Sequence, residues 1–149
     1  MITAALSITT AALALGGFIV WQLRRYHAMR NALPVPINAT LRDIRTLYTQ
    51  GVDLVAILGT GSMRPTIPAG EGVVAYAQLD RRAYVLLGEG DLVVFRVPGG
   101  GYVVHQLAQL DGGSWITGGS ANARYDAARM DATSYVGLVI KLYLLTPSA

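Results

Sequence analysis

From Ile2 to Leu23 the chain carries no charged residue, and this feature limits its fold more than any other. As an α-helix these 22 residues would run about 33 Å at 1.5 Å each, close to the roughly 30 Å of a bilayer's hydrocarbon core. Trp21 and Tyr26 mark the boundary where amphipathic rings prefer to sit, and Arg24 and Arg25 follow. A transmembrane anchor is therefore expected over residues 1–23. The alternative is a cleaved signal peptide, which ordinarily carries a basic stretch ahead of a shorter apolar run. Composition agrees with a lipid-borne part: 52% of residues are hydrophobic and only 14% charged, against the usual quarter for a soluble domain.

The rest of the chain is enough for one modest core. Asn31 to Asn38 holds Pro34 and Pro36 and is expected to be an extended connector. Between Thr40 and Gln50, Leu41, Ile44 and Leu47 recur at helical spacing, with Thr40 as N-cap and Gly51 after the end. Residues 24–50 thus read as a juxtamembrane connector and a short amphipathic helix. Beyond Gly51 the pattern changes to short runs rich in Val, Ile, Leu and Tyr: 52–58, 72–77, 91–97, 102–107, 114–117 and 136–145. Gly, Pro and Asp separate them, as in Val97-Pro98-Gly99-Gly100-Gly101. Such punctuation predicts a compact, mainly β domain over 51–146.

Several chemistries drop out. No cysteine is present, so disulfides, thiolate metal sites and a cysteine nucleophile are excluded. The net charge of +3 is not gathered into a basic stripe, which leaves nucleic-acid binding without support. No cofactor or metal is expected. Eleven arginines stand beside one lysine, Lys141, and the histidines are His27 and His105.

The segment Gly59-Thr60-Gly61-Ser62-Met63-Arg64-Pro65-Thr66-Ile67-Pro68 runs from a hydrophobic strand into glycines and then a serine closely followed by proline. Glycines let a backbone approach a substrate, and proline stiffens the chain after the serine. Alone, this is equally an ordinary turn. Ser62-Met63-Arg64-Pro65-Thr66, however, resembles the Ser-Met-x-Pro-Thr box of type I signal peptidases, whose serine is the nucleophile. Gly90-Asp91-Leu92-Val93-Val94-Phe95 is similar to the Gly-Asp-hydrophobic strand that follows it in that family. Tyr102-Val103-Val104-His105 stands where the base-carrying strand belongs. Thr117 through Asn122 to Asp126, with Val136-Gly137-Leu138-Val139, resembles the closing region. The likeness spans roughly residues 54–142, and it implies a signal-peptidase-like β domain.

A serine hydroxyl needs a neighbour to take its proton. The family uses either lysine or, in its archaeal and endoplasmic-reticulum-type branch, histidine. Lys141 lies in the closing strand, so the resemblance implies His105 as base, and imidazole ordinarily titrates in the useful range. A carboxylate would hold the ring's tautomer; Asp126 matches the family's later aspartate, with Asp131 and Asp111 as alternatives. Two departures stand out: Ser120 where relatives carry aspartate after glycine, and Gln106 where the histidine branch has arginine.

The Ser62 amide and the Thr60 hydroxyl are the expected oxyanion donors. Gly59 and Ile67 are expected to line pockets for small side chains one and three residues before the cut. Met63 and Ile67 are further expected in an exposed apolar patch dipping into the membrane interface. The implied activity is a serine endopeptidase that cleaves signal peptides of exported preproteins at the bilayer surface. A weakened or inactive scaffold of the same fold is the alternative, and a self-cleaving regulator a more remote one. The implied function puts the β domain on the exported side, whereas Arg24, Arg25 and Arg30 favour the opposite orientation.

Overall fold

The computed structural model describes residues 33–70 and 73–146. The anchor expected over 1–23, its arginine flank and the Glu71–Gly72 pair lie outside the described residues. Among the described residues no helix is long and apolar enough to cross a membrane. The chain divides into two units, 1–32 and 33–149, and the second is mainly β. Its strands are β1 (Ile37–Ala39), β2 (Leu54–Leu58), β3 (Val74–Asp80), β4 (Leu92–Arg96), β5 (Tyr102–Asp111), β6 (Ser114–Gly118) and β7 (Tyr135–Leu145). Among the described residues one α-helix, α1, spans Leu41–Thr49, and a 3-10 turn spans Tyr84–Leu86.

Alternating side-chain chemistry explains the sheet. β3 buries every second residue, with Ala75, Ala77 and Leu79 facing inward. β4 is different: Leu92, Val93, Val94 and Phe95 are all buried, the mark of a strand covered on both faces. Val94 joins Met63, Ile67, Ala77, Val104 and Leu142 in a first core. Val93 and Phe95 join Leu107, Trp115, Met130 and Leu138 in a second. The sheet order is β2-β3-β7-β4-β5-β6, antiparallel throughout. β7 is long enough to hold β3 on one side and, in succession, β4 and the parallel β1 on the other.

Within the expected extended connector, the backbone from Ile37 pairs with Tyr143–Leu145 as β1. Pro36 ends just before the strand, where a missing amide costs the ladder nothing. The α1 helix begins as its sequence implies. The Thr40 side chain accepts from the Asp43 amide while Asp43 accepts from the Thr40 amide, a reciprocal capping box. Those bonds, the Thr40 amide foremost, hold the Asp43 carboxyl below its ordinary range. Ile44 docks α1 on Ala39 and Tyr143, so β1 and α1 belong to the β unit. Between β5 and β6, Gly112 and Gly113 both take positive φ (59° and 84°), as a two-residue turn of mirror-image type requires.

One consequence of this topology matters for function. β2 pairs only with β3, and Tyr102–His105 of β5 pair only with β4, since β6 takes up the other edge from Gln106 onward. Following the antiparallel pairings across the sheet, β2 and β5 run in the same direction. Their two free edges face each other across a cleft of about 540 Å³.

Candidate active site

Ser62 sits at the head of this cleft, on a loop folded back on itself between β2 and β3. The Gly59 amide donates to the Val73 carbonyl (3.1 Å), the Gly70 amide to the Gly59 carbonyl (3.3 Å), and the Ile67 amide to the Met63 carbonyl (2.9 Å). Gly59 is required on steric grounds: a Cβ there would fall 2.1 Å from the Pro68 carbonyl oxygen. Met63 and Ile67 then anchor the loop in the first core, with only 3% and 2% of their surface exposed. This corrects the expectation that both form an exposed membrane-dipping patch. The single turn between them brings the two side chains to one face, and burial of that face fixes Ser62 at the surface beside it. They form the floor of the cleft.

A second segment, 119–121, braces the Ser62 loop from behind. The Ala121 amide donates to the Ser62 carbonyl (2.9 Å), and the Ser120 hydroxyl donates to the Arg64 carbonyl (3.1 Å). Gly119 approaches so closely that a Cβ would lie 2.3 Å from the Ser62 carbonyl oxygen and 2.8 Å from its Cβ. Ser120 ties the two loops together, and Gln106 reaches the Gly90 carbonyl at 3.4 Å.

The structure brings Ser62, His105 and Asp126 into one line. His105 is 8% exposed at the middle of β5, and its Nε2 lies 3.0 Å from Ser62 Oγ. Its Nδ1 lies 2.5 Å from Asp126 Oδ2. With Nδ1 protonated, the ring donates to the carboxylate and presents a lone pair to the serine hydroxyl, the tautomer proton abstraction needs. The low exposure of the pair keeps water from competing for those bonds. Lys141 is exposed on β7, paired with Gln78. The other two carboxylates are engaged elsewhere. Asp111 pairs with Arg129. Asp131 caps its own turn through Thr133 and Ser134, chiefly the Thr133 hydroxyl, which holds it at a pKa of about 2.

One member of the site escapes sequence reasoning. Thr117 on β6, with no exposed surface, donates its hydroxyl to the same Asp126 oxygen at 2.6 Å. The Asp126 amide in turn donates to the Thr117 carbonyl at 2.8 Å. Asp126 is thereby fixed at both backbone and side chain. The only sequence signal is a hydroxyl residue facing inward on a strand of otherwise apolar inward positions, Trp115 being the other.

Thr60 and Ser62 lie together, with their hydroxyl oxygens 3.3 Å apart. The Ser62 amide donates to no acceptor among the described residues. The Ser62 amide is therefore open to an acceptor, with the Thr60 hydroxyl beside it bonded to Ser62 Oγ. Among the described residues no three carboxylate, imidazole or thiol groups converge on a metal-sized space. Comparison of the chain with protein-family models, with curated proteins and with solved structures finds no match in any of the three.

Proposed function

We propose that this chain is a membrane-anchored serine endopeptidase of the signal-peptidase type, histidine branch, acting on signal peptides or similar pro-segments of exported preproteins. The observation that carries the reading is the continuous relay from Ser62 Oγ through His105 to Asp126, at 3.0 and 2.5 Å. A core histidine satisfied by a backbone carbonyl would need neither contact.

In the proposed reaction His105 Nε2 takes the hydroxyl proton as Ser62 Oγ attacks the scissile carbonyl. Asp126 stabilises the imidazolium without accepting its proton. The tetrahedral oxyanion draws on the Ser62 amide and the Thr60 hydroxyl, each such donor being worth roughly 3–4 kcal/mol in comparable sites. His105 then gives its proton to the leaving amine, and water on the same base hydrolyses the acyl-enzyme. Substrate recognition follows from the two unpaired strand edges. An extended peptide lying between β2 and β5 would complete both ladders and supply affinity through its main chain. The apolar floor of Met63, Ile67, Ile57 and Val104 would take small side chains one and three residues before the cut, with Gly59 beside them.

The membrane anchor over 1–23 gives this chemistry its location, because cleavage sites beside hydrophobic segments emerge at the lipid surface. We place the β unit on the exported side; protease accessibility in sealed vesicles of known sidedness tests that. Cleavage of a membrane-inserted preprotein by the full chain tests the activity. Ser62→Ala should abolish it while leaving thermal unfolding unchanged; His105→Ala should abolish it too, with some loss of stability because a buried, bonded ring is removed. Undiminished cleavage by Ser62→Ala would end the proposal. Failure of a fluorophosphonate probe to label Ser62 in the folded wild type would favour the inactive-scaffold reading instead.

A further inference from the structure

We propose that the far end of the cleft is a specificity subsite for an acidic side chain five residues before the cut; this rests on the peptidase reading above. Periodicity carries the argument. Along β5, Tyr102 and Val104 share one face, and Val104 belongs to the first core with Met63 and Ile67. On β4, Arg96 pairs directly with Tyr102 and shares its face with Val94 and Leu92, both in the same core. On β2, Val55 and Ile57 pack against that core. The face that floors the cleft beside Ser62 therefore continues along all three strands to their other end.

At that end its chemistry changes. A second concavity of about 430 Å³, sharing Ala56 and Tyr102 with the cleft, is lined by Asp53, Arg81 and Arg96. Two positive charges meet one negative. Arg81 is committed to Asp53 through two of its nitrogens and to the Val136 carbonyl through the third. Arg96 is exposed, its guanidinium carbon 6.0 Å from the centre of the Tyr102 ring. No carboxylate pairs with Arg96 among the described residues. Tyr102 keeps 55% of its surface open, so cation and ring together form an unfilled polar rim on an apolar floor.

A strand bound between β2 and β5 advances about 3.3 Å per residue and turns every second side chain the same way. With its first residue before the cut at Ser62, the first and third face the apolar floor. The fifth, about 13 Å further along, faces the rim of Arg96 and Tyr102. A glutamate or aspartate there gains a charge-assisted hydrogen bond from Arg96; a lysine is repelled by Arg96, the Asp53 charge being already met by Arg81.

The test uses the full-length Ser62→Ala protein in detergent and fluorescent peptides carrying Glu, Gln or Lys at the fifth residue before the site. Anisotropy titration should rank them Glu, Gln, Lys, with the Glu peptide tighter than Gln by roughly two- to five-fold at low salt, as for other exposed ion pairs. The gap should shrink as salt rises. Arg96→Gln should bind the three alike, whereas the double variant Asp53→Asn/Arg81→Gln, which removes a mutually compensated pair, should preserve the ranking. Equal affinities in the protein that retains Arg96, a ranking that survives Arg96→Gln, or no binding of any peptide would each overturn the subsite. Wild-type turnover of the same peptides separates the two claims. Cleavage without ranking sinks the subsite alone, and ranked binding without cleavage sinks the peptidase reading alone.

Discussion

Thr117→Val removes one hydroxyl from a fully buried position and keeps the side chain's volume and branching. The lost bond runs at 2.6 Å to the Asp126 oxygen that also holds His105. Hydrogen bonds to charged groups contribute about 1.5–3 kcal/mol. In comparable triads, neutralising the acid costs about 10⁴-fold in kcat, which sets a ceiling. The Asp126 amide would still be held by the Thr117 carbonyl, so the carboxylate loses its lateral constraint without leaving the site. We expect acylation of Ser62 to slow by about 10- to 100-fold, or 1.4–2.7 kcal/mol. The cost should fall on kcat more than on KM, because Thr117 lies outside the cleft lining.

The assay is the second-order rate of labelling by a fluorophosphonate probe, followed by kcat and KM on a preprotein. Thr117→Ser is the control: it restores the donor and deletes one buried methyl, costing about 1 kcal/mol of stability. It should label within a few-fold of wild type. A Val variant that labels at the wild-type rate would refute the positioning role. So would a Ser variant as slow as the Val variant, which would make packing the cause.

Two further outcomes follow from the same packing. Gly119→Ala places a methyl where the Ser62 carbonyl stands 2.3 Å away; displacement of the nucleophile loop should abolish probe labelling and lower stability by about 1–3 kcal/mol, read by thermal unfolding. The Tyr135 phenol is raised to about 12, first by burial. Its oxygen has no partner in hydrogen-bond geometry, although the nearby Leu138 amide offsets part of the burial. A raised pKa favours the protonated fold, so this group's contribution is intact below the ordinary tyrosine value near 10 and is lost as pH rises toward 12. Tyr135→Phe should flatten that stretch of the stability-against-pH curve; an unchanged slope between pH 10 and 12 would count against the assignment.

What the sequence makes legible here is whatever depends on near neighbours. The Thr40 capping box spans three residues and reads directly. The Gly112–Gly113 turn needs two positive φ angles that only glycine adopts freely. β4 announces itself as an unbroken apolar run because both its faces are covered. β1 does not, since three residues after a proline carry no period, and their pairing is dictated by Tyr143–Leu145 a hundred positions later. Met63 and Ile67 illustrate the same limit. Their spacing fixes that they share a face, but whether that face turns toward lipid or inward depends on Val94, Val104 and Leu142 closing over it.

The site itself divides along that line. His105 is legible through scarcity, being the one imidazole after residue 50, and the resemblance singles out Asp126 among three carboxylates. Thr117 is illegible because its role depends on the 118–126 loop returning to its own strand, where the Asp126 amide meets the Thr117 carbonyl. The sheet order also explains why groups 43 and 21 positions apart converge at all. Ser62 follows β2, His105 lies on β5, and Thr117, with the Asp126 it holds, belongs to β6. β2 and β5 are not ladder neighbours; they meet because β3, β7 and β4 curl the sheet until its free edges face each other. That same curl leaves the cleft open for a strand from another chain. An insertion that lengthened the β4–β5 turn would leave this arrangement intact, whereas one that broke the β7 pairing with β3 or β4 would separate Ser62 from His105.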